Sequence, residues 1–121
     1  MKSWIVVASI LIAGPVSAAV YADIEGEWVV DLRVNAKTDK PYTQPMIIKV
    51  AADRQVTGQF YNSDIIDGRA SVTNERLCVA FKTSDGAGLY QHSGCLIDGK
   101  VIGLSWSEQR KFLLNWSATR K

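Results

Sequence analysis

Apolar and polar residues alternate along most of the chain beyond residue 22, and this alternation predicts strands rather than helices. Clusters of Gly, Asn, Asp and Ser interrupt it at short intervals, as expected of tight turns. No segment beyond residue 22 has the period of an amphipathic helix. The pattern predicts about eight strands, at 27–34, 45–51, 55–62, 65–72, 75–82, 89–97, 100–107 and 110–119.

Three predicted turns fix which residues of neighbouring strands face one another. Asp98-Gly99 is a strong signal for a two-residue hairpin turn, because both central positions of such a turn need positive φ. Two further turns are predicted at residues 73–74 and 108–109. The turn at 98–99 pairs Gly94 with Gly103, and the turn at 73–74 pairs Ala70 with Leu77. The turn at 108–109 pairs Gly103 with Leu114.

The predicted registers agree on one inward face, and that face is apolar. The opposite assignment would bury Arg54, Arg76, Lys82 and Lys111, and burying unpaired charge is costly. So many strands with short connections favour closure of the sheet, which removes exposed edges. The predicted fold is therefore all-β, a small closed antiparallel up-and-down β-barrel of about eight strands. Such a barrel either packs solid or holds one small ligand.

The first 22 residues have the features of a signal peptide that is removed. Lys2 precedes an apolar run at residues 4–13, which is too short to span a bilayer. Small residues follow, with candidate cleavage sites after Ala18 and after Ala22. The alternative is an N-terminal anchor or a core helix. Residues 23–121 are expected to form a single periplasmic or secreted domain.

Two cysteines, Cys78 and Cys95, fit an exported protein with one disulfide bond. Aligning the hairpin through residues 84–88 so that the cysteines face each other also places Phe81 opposite His92. That register keeps the same apolar face inward, and facing cysteines on neighbouring strands can be bridged. The alternative is two free buried thiols.

Charge gives little indication of a partner. The chain carries 14 basic and 12 acidic side chains, and neither sign clusters, so nucleic acid and anionic membranes are poor candidates. No second apolar run approaches the ~18 residues of a spanning helix, so the mature domain is expected to be soluble.

The two ends of the domain carry a family resemblance. Gly26-Glu27-Trp28 opens the first strand, and Trp116-Ser117-Ala118-Thr119-Arg120 closes the last. This combination resembles the lipocalin-like (calycin) barrels, in particular small exported bacterial domains of that type. The resemblance implies that Arg120 packs over Trp28. Antiparallel closure brings these residues together as well, and a cation–π contact there contributes roughly 0.5–2 kcal/mol and closes one end. The alternative is a frayed terminal arginine.

The opposite end is then the candidate ligand site. It carries the longest loop, at 35–44, and long loops on a rigid barrel commonly carry binding. Gly94 and Gly103 lie below it and are expected to leave space. A mostly apolar concavity with a few polar groups is typical of a small-molecule site. The predicted ligand-binding residues are Tyr90, His92, Ser105 and Ser107 as polar groups and Phe60, Phe81, Phe112 and Trp116 as wall. The alternative is that the polar groups bond one another at the rim of a packed core.

Neither a metal site nor catalysis is expected. His92 is the only histidine, and one histidine without a cluster of further ligands does not make a metal site. Ser105, His92 and Asp85 could form a triad on paper, but no nucleophile elbow accompanies them. The chain is therefore interpreted as a non-enzyme without a cofactor.

Four apolar residues are predicted to point outward on the last two strands, namely Ile102, Leu104, Trp106 and Leu113. A contiguous exposed apolar patch indicates a protein interface, most simply a homodimer. The alternative is cover by the chain's own residues 19–25. Two functions follow: a barrel that binds a small, partly apolar ligand in its open end, or a protein-binding barrel such as a periplasmic protease or lysozyme inhibitor.

Overall fold

The computed structural model describes residues 18–121, so most of the predicted signal peptide lies outside the described residues. A short α-helix, Ala18–Tyr21, and a 3-10 turn, Ala22–Ile24, precede the strands. In the described part of the chain, no helix is long and apolar enough to cross a bilayer. The strands are β1 (Gly26–Asp31), β2 (Thr43–Val50), β3 (Gln55–Phe60), β4 (Ser63–Asp64), β5 (Ile66–Thr73), β6 (Arg76–Ser84), β7 (Leu89–Ile97), β8 (Lys100–Ser107) and β9 (Phe112–Arg120).

The strands close into a ring of antiparallel neighbours. β9 pairs with β1, β1 with β2, and β2 with β3, which joins the two ends of the sheet. The two-residue β4 and the longer β5 both pair with β3 and together form one wall strand, and the pairing of β5 with β6 is irregular between Ile66 and Arg69. The fold is thus a small closed antiparallel barrel with 8 wall strands, which confirms the predicted fold class.

Burial alternates along the strands with the predicted parity. β8 is the clearest case, because every second residue from Val101 to Ser107 is buried and the residues between them are exposed. The buried core draws on almost every strand and on the turn before β1. Its members are Ile24, Trp28, Val30, Leu32, Met46, Ile48, Val56, Phe60, Ala70, Leu77, Val79, Phe81, Val101, Trp116 and Ala118.

The turn between β5 and β6 lies one residue later than predicted. Asn74 and Glu75 occupy it with φ of 50° and 62°, the left-handed values that a two-residue hairpin turn needs. Ala70 therefore pairs with Val79 and not with Leu77. Moving the turn by one residue moves the register by two, so Leu77 still faces inward.

The turn between β8 and β9 is longer than the predicted two residues. Residues 108–111 form it, and Lys111 takes a left-handed φ of 52° before β9 starts. Gly103 therefore pairs with Trp116, and the predicted pairing with Leu114 is wrong. Again the register differs by two residues, which preserves the inward face but places a larger side chain at this level of the barrel.

The first strand ends earlier than predicted. β1 stops at Asp31, whose carboxylate accepts a hydrogen bond from the backbone N–H of Arg33 at 3.1 Å and pairs with the guanidinium of the same residue. The chain leaves the sheet there. Val34, which the predicted strand included, is 81% exposed in the loop as a result.

One end of the barrel is capped by the segment that precedes β1. The guanidinium of Arg120 lies 4.1 Å from the centroid of the Trp28 ring, the contact predicted from the sequence. The same guanidinium donates hydrogen bonds to the backbone carbonyls of Asp23 and Glu25. The indole N–H of Trp28 donates to the carbonyl of Ile24 at 2.9 Å. This end is therefore filled and hydrogen-bonded.

Cys78 and Cys95 face each other across β6 and β7, in the predicted register. Their sulfurs lie at bonding distance, 1.99 Å, with Cα atoms 4.0 Å apart. The predicted pairing of Phe81 with His92 is present three residue pairs along the same hairpin. The hairpin therefore places both the cysteine pair and the single histidine.

Candidate ligand-binding site

A cavity of about 570 Å³ opens at the end of the barrel opposite Trp28 and Arg120. Its volume lies within the range of small-molecule pockets, about 300–1,000 Å³. Strands contribute its inner wall and the loop between β1 and β2 contributes its rim. The lining residues are Leu32, Arg33, Val34, Asp39, Lys40, Tyr42, Phe60, Tyr61, Ser63, Thr83, Asp85, Tyr90, His92, Ser105, Phe112 and Leu114.

The eight predicted ligand-binding residues divide into two groups. Phe60, Tyr90, His92, Ser105 and Phe112 line the cavity. Phe81, Ser107 and Trp116 do not line it; all three are buried in the wall. The cavity is therefore shallower along the barrel axis than the sequence predicts.

Trp116 explains the difference. A Cβ atom built on Gly103 would come within 2.2 Å of the Trp116 ring, and one on Gly94 within 3.2 Å. The indole thus occupies the volume that the two glycines release, and the prediction of empty space there is wrong. The cause is the register of β9, which places Trp116 directly opposite Gly103.

A chain of buried polar groups forms the inner polar wall. The indole N–H of Trp116 donates to the hydroxyl of Ser105 at 2.8 Å, and that oxygen lies 2.6 Å from Nδ1 of His92. Nε2 of His92 lies 2.9 Å from the hydroxyl of Thr83. We call these four side chains the polar relay. The predicted alternative, in which polar groups bond one another, is therefore present beside an open cavity.

Thr83 was missed in the sequence analysis, although its parity is that of Phe81. The predicted strand ended at residue 82, whereas β6 continues to Ser84 and buries Thr83 inside the barrel. Extending the alternation by one further step would have found it. Tyr42 and Tyr61 are missed as well. Tyr42 lies in the loop before β2, where no strand parity applies, and Tyr61 falls in the predicted strand 55–62 with outward parity, whereas β3 ends at Phe60.

Burial lowers the pKa of His92 to about 4, since the charged ring would lose its hydration. Aromatic rings surround it: Phe60 at 4.3 Å, Phe81 at 5.1 Å and Tyr90 at 6.1 Å between ring centroids. The imidazole is therefore neutral near pH 7, with one ring nitrogen donating and the other accepting.

Asp85 does not complete a triad with His92 and Ser105. Its carboxylate accepts hydrogen bonds from the backbone N–H groups of Ala87 and Gly88 and pairs with Arg110 at 3.0 Å. Both ring nitrogens of His92 already have other partners. Within residues 18–121, no group of three or more His, Cys, Asp or Glu side chains is placed to hold a metal ion.

Aromatic side chains and paired charges form the mouth. The rings of Tyr42 and Tyr61 meet edge to face with centroids 6.1 Å apart, and their hydroxyls are hydrogen-bonded across the opening. Arg33 at the rim is held by Asp31 at 2.5 Å. The mouth therefore presents amphipathic rings and a largely neutralised rim rather than one dominant charge.

Ser107 is fully buried, and its hydroxyl has no hydrogen-bond partner among the described residues. Its cross-strand partner Phe112 is 37% exposed and meets Tyr90 edge to face at 6.3 Å. These two rings, and not Ser107, present their surface to the cavity.

The outer apolar residues Ile102, Leu104, Trp106 and Leu113 are exposed, by 37% to 63%. The proposed cover by residues 19–25 is wrong, because that segment lies at the capped end. Ile24 is buried there, Tyr21 packs against the core, and Arg120 binds the carbonyls of Asp23 and Glu25.

The architecture is consistent with a calycin-like barrel. A search of protein-family models, curated proteins and solved structures finds no match for this chain. Functional inference therefore depends on the cavity and the side chains around it.

Proposed function

We propose that the protein is an exported lipocalin-like barrel that binds one small, partly apolar molecule in its open end. The observation that carries this proposal is the cavity of about 570 Å³ at one end of a barrel whose other end is filled. An eight-stranded barrel has room for one small ligand, and this cavity is lined largely by apolar groups with a few polar ones.

The same proposal includes that the protein is exported and that it is a lipocalin-like barrel. The N-terminal sequence has the features of a signal peptide, and the paired cysteines Cys78 and Cys95 fit an oxidising compartment. Gly26, Trp28 and Arg120 match the lipocalin-like pattern, and the stacking of Arg120 on Trp28 supports it.

The lining supports an amphipathic ligand. Phe60, Phe112 and Leu114 offer apolar contact area, while Thr83 and Ser105 offer hydroxyl groups on one side. The ligand's apolar body would displace water from the aromatic wall, which is favourable by about 25 cal/mol per Å² of buried apolar surface.

Titration with the neutral fluorophore N-phenyl-1-naphthylamine tests the site. We expect saturable one-to-one binding that L114W abolishes, because a larger side chain would fill the cavity that Leu114 lines. L113W is the matched control, since the neighbouring Leu113 is 63% exposed on the outer wall. Loss of binding in L113W with full binding in L114W would move the apolar site to the outside of the barrel.

Native mass spectrometry of the protein purified from its own host complements this titration. A co-purifying small molecule, released on unfolding, is the expected result. It would identify the ligand and report the oligomeric state in the same spectrum.

The exposed outer patch favours a second candidate, a protein-binding barrel such as a periplasmic protease or lysozyme inhibitor, or a homodimer formed through these residues. Leu104 and Trp106 lie on β8 beside Leu113 on β9, so their apolar surfaces are neighbours. Contiguous exposed apolar surface commonly marks an interface. An unliganded cavity combined with tight binding of a protein through this patch would favour this candidate.

A further inference from the structure

The polar relay contains one more donor hydrogen than it has hydrogen bonds. Four groups each carry one hydrogen: the indole of Trp116, the hydroxyls of Ser105 and Thr83, and the neutral ring of His92. Three hydrogen bonds join them. Whichever ring nitrogen is protonated, one hydroxyl hydrogen is therefore left without an acceptor inside the relay.

The distances indicate which hydrogen is left. The 2.6 Å contact between Ser105 and Nδ1 is shorter than the usual N–H donor range and fits an O–H donor, and the 2.9 Å contact between Nε2 and Thr83 is compatible with the N–H donor that then remains. Hydrogen bonds then run in one direction, from Trp116 to Ser105, to His92 and to Thr83. Such head-to-tail chains polarise and strengthen each other. The unpaired hydrogen is that of the Thr83 hydroxyl.

Thr83 is well placed to use that hydrogen on a ligand. It lines the cavity, it lies one residue from the end of β6, and its oxygen has no other hydrogen-bond partner among residues 18–121. A ligand that fills the cavity without an acceptor here would leave this donor unpaired, which is costly, so a ligand that supplies an acceptor gains an advantage.

Resting on the proposed function, we propose that Thr83 is the specificity-determining residue of this cavity, and that the ligand is an uncharged, mainly apolar molecule with a carbonyl-type acceptor. The relay leaves the Thr83 hydroxyl hydrogen available to a ligand, and the apolar wall accepts the rest of the molecule.

The surroundings argue against a carboxylate at this position. Of the cationic side chains near the mouth, Arg33 is held by Asp31 and Arg110 by Asp85. Lys40 belongs to the rim loop rather than to the strands that carry the relay. The strands that carry the relay contribute no cation to the lining, so an anion beside Thr83 would lose hydration that those strands do not replace, which is costly.

The direction of the relay can be measured without a ligand. His92 is the only histidine in the chain, so ¹⁵N-histidine labelling gives a single ring to observe by NMR. We expect protonated Nε2 and unprotonated Nδ1 at pH 7. The reverse tautomer would place the unpaired hydrogen on Ser105 and overturn the assignment to Thr83.

Ligand chemistry is tested by displacement of N-phenyl-1-naphthylamine with two probes of similar shape, 1-acetylnaphthalene and 1-ethylnaphthalene. In T83V we expect the ketone to bind about tenfold more weakly and the hydrocarbon to be unchanged, the effect of one hydrogen bond. T83S should restore ketone binding. T57V is the control, because Thr57 is exposed on the outer side of β3.

The outcomes separate the two proposals. Suppose that N-phenyl-1-naphthylamine binds, but that T83V weakens both probes equally or that neither probe displaces the fluorophore. Either result would overturn the role of Thr83 and leave the ligand site standing. Tighter displacement by 1-naphthoic acid than by the ketone would overturn the uncharged class. No binding of the fluorophore by the wild type would overturn both.

Discussion

The two ends of the barrel use a buried tryptophan in different ways. At the capped end, Trp28 is only 1% exposed, donates to the backbone carbonyl of Ile24 and lies under the guanidinium of Arg120. At the open end, Trp116 donates to the side chain of Ser105 and forms part of the polar relay. Both rings are buried, but only the second borders a region where polar side chains and empty volume remain.

This difference shows how a small barrel can combine a stable core with a binding cavity. Buried apolar side chains occupy the capped end, and backbone carbonyls accept hydrogen bonds from the indole of Trp28 and the guanidinium of Arg120. The open end keeps Thr83, His92 and Ser105 bonded to one another beside a cavity. We expect stability to depend chiefly on the capped end and ligand choice on the open end.

The largest effect should come from W28A. Removing this fully buried ring should cost about 3–5 kcal/mol of unfolding free energy, because a cavity forms and the Arg120 contact is lost. Urea denaturation measures it. W106A is the control, since Trp106 lies on the outer wall; a larger loss in W106A than in W28A, in monomeric protein, would contradict the comparison.

The disulfide should stabilise the whole barrel rather than one end. Cys78 and Cys95 are separated by 17 residues, and closing a loop of this size contributes roughly 3 kcal/mol through the entropy of the unfolded chain. The double variant C78A/C95A should lose about that much stability and still bind N-phenyl-1-naphthylamine. Free thiols in the natively exported wild type, found by non-reducing peptide mapping, would contradict this prediction.

Acid should weaken the fold through the open end. The pKa of His92 is about 4 in the folded protein and near 6.5 in the unfolded chain, so the unfolded state takes up a proton first as the pH falls. Stability is therefore full above about pH 6.5 and declines toward pH 4, by roughly 2 kcal/mol at pH 5. Two other titratable side chains near His92 are Tyr90, whose ring stacks on the imidazole, and Asp85, which lines the same cavity.

Urea denaturation at pH 7.5 and pH 5 measures this decline. H92F is the comparison variant, because a neutral ring cannot titrate, and the decline should nearly disappear in it. An equal decline in H92F would assign the acid sensitivity to other groups.

The smallest effect on stability should come from the outer wall. W106A and L113A should each change the unfolding free energy by less than about 0.5–1 kcal/mol, since both side chains are exposed. If the patch is an interface, these substitutions should weaken the association of two copies of the chain. Sedimentation analysis should show a dimer for the wild type, and the W106A dimer should dissociate at a higher protein concentration. A wild-type protein that is monomeric at all concentrations would reject the homodimer.

The alternation of side chains was sufficient to predict the barrel and its inner face. The closure of one end was predicted from the resemblance that Gly26, Trp28 and Arg120 carry, together with antiparallel closure of the sheet. The turns show why the alternation was sufficient. The β5–β6 turn lies one residue later than predicted, and the β8–β9 turn is two residues longer. Both errors shift the register by two, and a shift of two leaves every side chain on the same face. Leu77 and Leu114 changed partners but not sides.

Depth along the barrel axis is a different quantity, and the alternation does not contain it. The register shift of β9 moved Trp116 to the level of Gly103, where its ring fills the space that the sequence left open. The same ring meets Phe60, at 5.4 Å between centroids, from a strand on another side of the barrel. Which side chain occupies a given volume depends on such contacts between residues that are far apart in the chain.

Inside or outside was thus determined by the sequence, because the two-residue period of a strand is a local property. The tertiary structure alone decided how much of the lumen stays empty, that Thr83 joins the predicted His92 and Ser105 at the cavity, and that Ser107 does not. Thr83, His92 and Ser105 come from three successive strands and meet only when the hairpins are in register. The packing of side chains from separate strands determines the volume of the cavity, because each side chain fills space that its neighbours in the chain do not reach.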